Sequence, residues 1–218
     1  MVPFRKILVS LDGSELAENA LAPALRIAEA MAARAGGQPV KLILLRVVGP
    51  VALVAADPLL YDELMRMGID EAQAYLNTVV TSLKPGQVAV EAHAAAGSAA
   101  NAIVQYAETN GVDLIVMCSH GRTGSSRWVY GSVAEKVLHH ASCATIIIRA
   151  HVGVPAFQNR KVLVPLDGSP LAERALEPAL TIADAVESDV TLLRVTSGSI
   201  TSGKSAAAGK TLDANSEV

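Results

Sequence analysis

KILVSLDGSELAENALAPAL, residues 6–25, recurs further along the same chain as KVLVPLDGSPLAERALEPAL, residues 161–180, with most positions identical. Each copy opens on an apolar run, passes through Asp-Gly-Ser and enters a segment with helical spacing. Residues 7–11 read as a buried strand and residues 14–33 as a helix. Ser14 suits the N-cap, and Glu15 and Glu18 lie in the first turn, where the helix dipole favours acids. Leu16, Ala20, Ala24, Ile27 and Met31 recur at helical spacing and form its inward stripe. The match resumes at Leu44-Leu45-Arg46-Val47 against Leu192-Leu193-Arg194-Val195, the first copy carrying an extra Arg34-to-Pro39 stretch. A period this long indicates duplicated domains rather than a solenoid.

The rest of the first copy continues the alternation. Residues 40–48 read as a strand, 61–83 as a helix, 88–94 as a weaker alternating strand and 98–109 as a helix. Residues 112–118 form a strongly apolar strand. After a glycine-rich stretch, 132–140 read as a helix and 144–149 as a last strand. Strands alternating with helices imply right-handed crossovers and a parallel sheet covered on both faces. The expected fold is therefore α/β: a five-stranded, parallel, Rossmann-like sheet with helices on both faces, followed by an incomplete β-α-β repeat. The expected domains are 1–150, a linker at 151–159, a partial copy at 160–196 and a disordered Ser/Gly/Ala/Thr-rich tail at 197–218.

Composition agrees with this layout. Half of the 218 residues are apolar but only 3% are aromatic, so the core must be built from Ala, Val, Leu and Ile. The formal charge of -3 and the pI near 5.9 supply no global field for nucleic acid. No apolar run reaches the roughly 20 residues that span a bilayer, and no signal peptide is recognisable, so a cytoplasmic protein is expected. Cys118 and Cys143 have neither metal-ligand nor disulfide-framework spacing and read as thiols in a reducing compartment.

Open α/β sheets bind ligands beyond the C-terminal ends of their strands, at the point where strand order reverses. Two loops are expected to meet there. One is Leu11-Asp12-Gly13-Ser14. The other runs from Cys118 through Ser119, His120, Gly121, Arg122, Thr123, Gly124, Ser125 and Ser126, with Gly131-Ser132 opening the next helix. Glycines let backbone approach a phosphate, and amides at a helix N-terminus with serine hydroxyls solvate it. Arg122 or Arg127 adds charge, and Asp12 suits ribose hydroxyls. The same glycines are equally compatible with a tight turn alone. Neither a Walker A pattern nor a Gly-x-Gly-x-x-Gly after the first strand is present.

The chain resembles the universal stress protein family over residues 3–150, and the family's opening again over 160–195. Its ATP-binding members carry Gly, two residues, Gly, nine residues, then Gly-Ser or Gly-Thr. Here Gly121, residues 122–130 and Gly131-Ser132 match, while the first glycine of the pattern falls on Cys118, where a side chain would crowd the backbone near the phosphates. The resemblance implies ATP, with Mg2+, as the ligand. Asp12 and Val47 would hold ribose and base. Gly121, Arg122, Gly124, Ser132 and neighbouring backbone would hold the phosphates, with His120 and Leu11 beside them. It implies a nucleotide-binding regulator or sensor of stress, and a homodimer formed through the unprotected edge strand 144–149. Two readings stay open beside it: a dimerisation module without nucleotide, and a weak ATP hydrolase. No motif fixes a base, a metal-binding acid and cations around a γ-phosphate. The second copy lacks the glycine-rich loop and three strands, so it is expected to survive by docking on the first copy or on another chain, or else to be the loose remnant of a truncated gene.

Overall fold

The structure is a computed structural model, and it describes residues 4–50, 58–119, 131–149 and 161–195. Five parallel strands form one sheet in the order β3-β2-β1-β4-β5: β1 Lys6–Leu11, β2 Lys41–Val48, β3 Ala89–Ala96, β4 Leu114–Cys118 and β5 Ala144–Ile148. The first copy's helices are α1 Glu15–Glu18, α2 Leu21–Arg34, α3 Pro58–Ser82, α4 Ala99–Asn110 and α5 Ser132–His140. One apolar cluster joins alternate strand residues (Ile7, Val9, Leu42, Leu44, Leu114, Val116) to α2 and the end of α3. The opposite face carries Leu8, Ile43, Leu45, Ile115 and Met117 against α4 and α5. Covering on both faces explains why β1 and β4 read as unbroken apolar runs rather than alternating ones.

The strand order puts β1 in the centre, with β2 and β4 on either side of it. Register is set by Leu8 opposite Ile43 and Ile115. The Asp113 carboxylate fixes the start of β1 by accepting from the Arg5 and Lys6 amides at 2.8 and 2.9 Å. The two edges differ. On β3, Glu91 pairs with Lys41 of β2; on β5 every residue from Ala144 to Ile148 is half-buried and uncharged. Charge on an edge discourages pairing with a further strand, and β5 lacks it.

The single helix expected over 14–33 is two helices, α1 and α2, meeting at Asn19-Ala20. Pro23 is the cause. Its nitrogen has no hydrogen for the Asn19 carbonyl, and its ring would collide with that carbonyl in a continuous helix. The second copy repeats the break: α6 Pro170–Glu173 and α7 Leu176–Ala185 are separated four residues ahead of Pro178.

The second copy forms a two-stranded parallel sheet from β6 Lys161–Pro165 and β7 Asp189–Leu193. Leu163, Leu171 and Leu192 remain more than half exposed, as expected where only two strands pair. Its α7 end rests on the first copy. Ala185 and Val186 join the core cluster containing α2. Arg34 at the end of α2 meets the Asp184 carboxylate at 3.1 Å and donates to its carbonyl at 2.8 Å. Docking on the first copy is thus the arrangement found. The linker at 151–159 and the tail at 197–218 lie outside the described residues.

Candidate functional site

A cavity of about 350 Å³ opens at the C-terminal ends of β1, β2 and β4, where the sheet reverses its strand order. It has the size of a small-molecule site. Leu45, Val47, Ile103 and Met117 make an apolar wall on the α4–α5 side of the sheet. Asp12 and Ser10 stand on the β1 side, and Gly131, Ser132, Val133 and Ala134 form the opposite rim.

The Asp12-Gly13-Ser14 turn is tightly built. Asp12 Oδ1 accepts from the Ser14 amide at 2.9 Å and from its hydroxyl at 2.6 Å. Ser14 Oγ then accepts from the Ala17 amide at 3.2 Å and caps α1. Capping therefore belongs to Ser14, and Asp12 acts one step upstream by orienting the cap. The second copy reproduces the turn. Asp167 Oδ1 accepts from the Ser169 amide at 2.8 Å, and Ser169 Oγ accepts from Ala172 at 3.1 Å.

The far rim is a helix start without a side-chain cap. Gly131 is the N-cap of α5 and offers no side-chain hydrogen bond. Its amide donates to the Ser119 carbonyl at 2.8 Å, which ties together the two ends of the glycine-rich loop. The α5 ladder begins with the Glu135 amide donating to the Gly131 carbonyl at 3.0 Å. The amides of Ser132, Val133 and Ala134 precede that ladder, and a helix start of this kind attracts anions. Ala99, the first residue of α4, also lines the cavity, and α4 likewise has no side-chain cap bond at Ser98. Two uncapped helix starts therefore face one cavity.

Cys118 borders the cavity with only 7% of its surface exposed. Its thiol donates to the Leu16 carbonyl at 2.9 Å and lies 3.6 Å from that of Ala17. Strand alternation turns this side chain to the α1 side, opposite Met117. Burial, first, and the nearby Asp12 carboxylate push the thiol up to about 11, against a lesser opposing pull from the Ala20 backbone. It is a neutral hydrogen-bond donor at neutral pH.

Of the residues singled out from the sequence, Leu11, Asp12, Val47, Cys118, Gly131 and Ser132 all line this cavity. His120, Gly121, Arg122 and Gly124 lie outside the described residues. The sequence reading missed Ser10, Ala17, Leu45, Ala99, Ile103, Met117, Val133 and Ala134. Leu45 shares its strand face with Val47, and Met117 lies on the face opposite Cys118. Ala99 and Ile103 have no local signal, because only the sheet order brings α4 to β2 and β4. Among the described residues no group of three His, Cys, Asp or Glu could hold a metal ion. Among the described residues no helix is long and apolar enough to cross a membrane.

Comparison with known proteins agrees with this architecture. The model of the universal stress protein family matches residues 3–149 and again 158–218. Universal stress protein MJ0531 of Methanocaldococcus jannaschii is 32% identical over 148 residues, covering 67% of this chain and 82% of its own. The solved structure of hypothetical protein MJ0577 is 27% identical, with a TM-score of 0.59, covering 68% of this chain and 97% of its own. A universal stress protein from Archaeoglobus fulgidus shares the fold at 22% identity. Its TM-score is 0.69, with 90% of this chain and 69% of that one covered. A central cavity at the strand-order reversal, two Asp-Gly-Ser turns and two matches to one family model together establish that the chain belongs to the universal stress protein family.

Proposed function

We propose that this chain binds an adenine nucleotide, ATP above all, and uses it as a regulatory signal in a stress response. The carrying observation is the cavity's chemical division. An apolar wall of Leu45, Val47, Ile103 and Met117 suits a purine base, the Asp12 carboxylate suits a ribose, and the uncapped start of α5 suits phosphates. Gly121, Arg122 and Gly124, in the loop whose ends are tied at Ser119 and Gly131, complete the phosphate side in this reading. Magnesium fits as the companion of the phosphates. That ion keeps most of its waters and takes one or two carboxylates plus phosphate oxygens, and Asp12 is the carboxylate lining the cavity.

The same reading makes residues 1–150 the nucleotide-binding unit and 160–196 an accessory copy. It has the cytoplasmic chain assemble as a homodimer along β5, supported by that edge's uncharged, half-buried residues. Calorimetry of ATP with the wild type and with Gly131→Val tests the assignment. Gly131 has extended backbone angles that valine adopts without strain, so the substitution brings bulk to the phosphate rim without straining the backbone. Binding by the wild type and its loss in the variant are expected. A folded wild type that binds no ATP at millimolar concentration refutes the reading.

A further inference from the structure

Arg46 sits between the two residues of β2 that line the cavity, Leu45 and Val47, yet its side chain leaves the opposite face of the sheet. There the side chain is only 13% exposed. Its guanidinium lies 5.1 Å from the centroid of the Tyr75 ring and 3.6 Å from Glu71 Oε1. On its other side is Gly13. A β-carbon added to Gly13 would stand 3.2, 3.3 and 3.4 Å from Arg46 Cζ, Nη2 and Nη1. Three nearly equal distances mean that the glycine looks onto the flat of the guanidinium. Gly13 therefore has two reasons to lack a side chain: this contact, and a φ of +85°.

The second copy makes the contact again. A β-carbon on Gly168, whose φ is +88°, would meet Arg194 Nη2, Cζ and Nη1 at 3.0, 3.1 and 3.4 Å. Among the described residues that copy has no counterpart of α3, so neither Tyr75 nor Glu71 is needed to bring arginine and glycine together. The Asp-Gly-Ser turn and the arginine at the end of the neighbouring strand are one unit, built twice. In the first copy α3 adds a backstop. Tyr75 lies behind Arg46 and donates to Glu18 Oε1 of α1 at 2.7 Å, so α3, β2 and α1 brace the turn together.

We infer that Arg46 is a positioning residue for the nucleotide site: its guanidinium, held against Tyr75, backs Gly13 and keeps Asp12 turned to the cavity. The inference rests on the nucleotide reading above and deepens it. A lysine ammonium carries the charge but not the plane, so the geometry calls for arginine.

The test combines ATP calorimetry with amide hydrogen exchange of ligand-free protein, on wild type, Arg46→Met, Arg46→Lys, Asp12→Asn and the Arg46→Met/Asp12→Asn double variant. Arg46→Met is expected to weaken ATP binding about tenfold, the scale of one interaction with a charged partner. Arg46→Lys should fall with it. The double variant should bind no worse than Asp12→Asn alone, because arginine acts through Asp12. Without ligand, the Ser14 amide should exchange faster in Arg46→Met while amides of β4 keep wild-type rates. Additive losses, or full rescue by lysine, overturn the inference while leaving nucleotide binding standing. If the wild type binds no ATP, the nucleotide reading falls, and unchanged Ser14 exchange in Arg46→Met then removes the positioning role as well.

Discussion

Replacing Cys118 by alanine separates two accounts of the one departure from the family's glycine pattern. If the side chain crowds the phosphates, removing it should tighten ATP binding. The structure argues otherwise, because the sulfur is bonded to the Leu16 carbonyl of α1. Cys118→Ala should therefore cost stability, about 1 kcal/mol for a buried sulfur and a weak hydrogen bond, and leave ATP affinity unchanged. The pH dependence gives a sharper number. The thiol ionises at about 11 in the folded protein, against an ordinary value of 9.0. Between those limits the unfolded chain binds fewer protons than the folded one, so the thiol's contribution is whole below about pH 9 and falls as pH rises to about 11. Two pH units correspond to about 2–3 kcal/mol, more than the cost of the substitution at neutral pH. The stability curves of wild type and variant should cross near pH 10, with alanine the more stable above it. Urea unfolding from pH 7 to 11, read as the difference between the two proteins, cancels tyrosine and lysine titrations common to both. Curves that stay parallel, or an alanine variant that binds ATP about tenfold more tightly, would refute the reasoning.

Two further outcomes follow from the packing. Val186 is 2% exposed in the core cluster shared with α2, so Val186→Asp should undock the second copy at a cost of several kcal/mol for a buried carboxylate. Limited proteolysis should then cut within residues 161–193 while the strands β1–β5 and helices α2–α5 resist. On β5, a lysine in place of Ile146 should move the homodimer proposed above to monomer in sedimentation without loss of ATP binding, since Ile146 does not line the cavity. An unchanged dimer would place the interface elsewhere.

How much of this was legible beforehand depends on the range of the interactions involved. Element order followed from period and apolar runs, which are local, and α5 was read at the bounds it has, residues 132–140. The break between α1 and α2 was also in the sequence, twice, as Pro23 and Pro178. The inward stripe ran on across each proline and favoured one helix. Asp12, Gly131 and Ser132 were identifiable because a strand end and a helix start have recognisable residues, whereas Val47 came from the family resemblance. Ala99 and Ile103 were not, being ordinary alanine and isoleucine until α4 is placed.

By itself, then, the sequence determined the alternating α/β fold, the duplication and the two loops expected to meet at the strand ends. Periodicity and turn chemistry act within a few residues, and the repeat supplied a second reading of each. Tertiary structure alone decided three other matters. It turned the Cys118 sulfur to α1, because strand alternation and the Leu16 carbonyl outweigh any pull towards the cavity. It laid α7 on the end of α2, since a two-stranded sheet buries much of its apolar surface only against a neighbour. And it set Arg46 and Arg194 face-on to Gly13 and Gly168, a contact between residues far apart in each copy that exists only once β1 and β2, or β6 and β7, lie side by side.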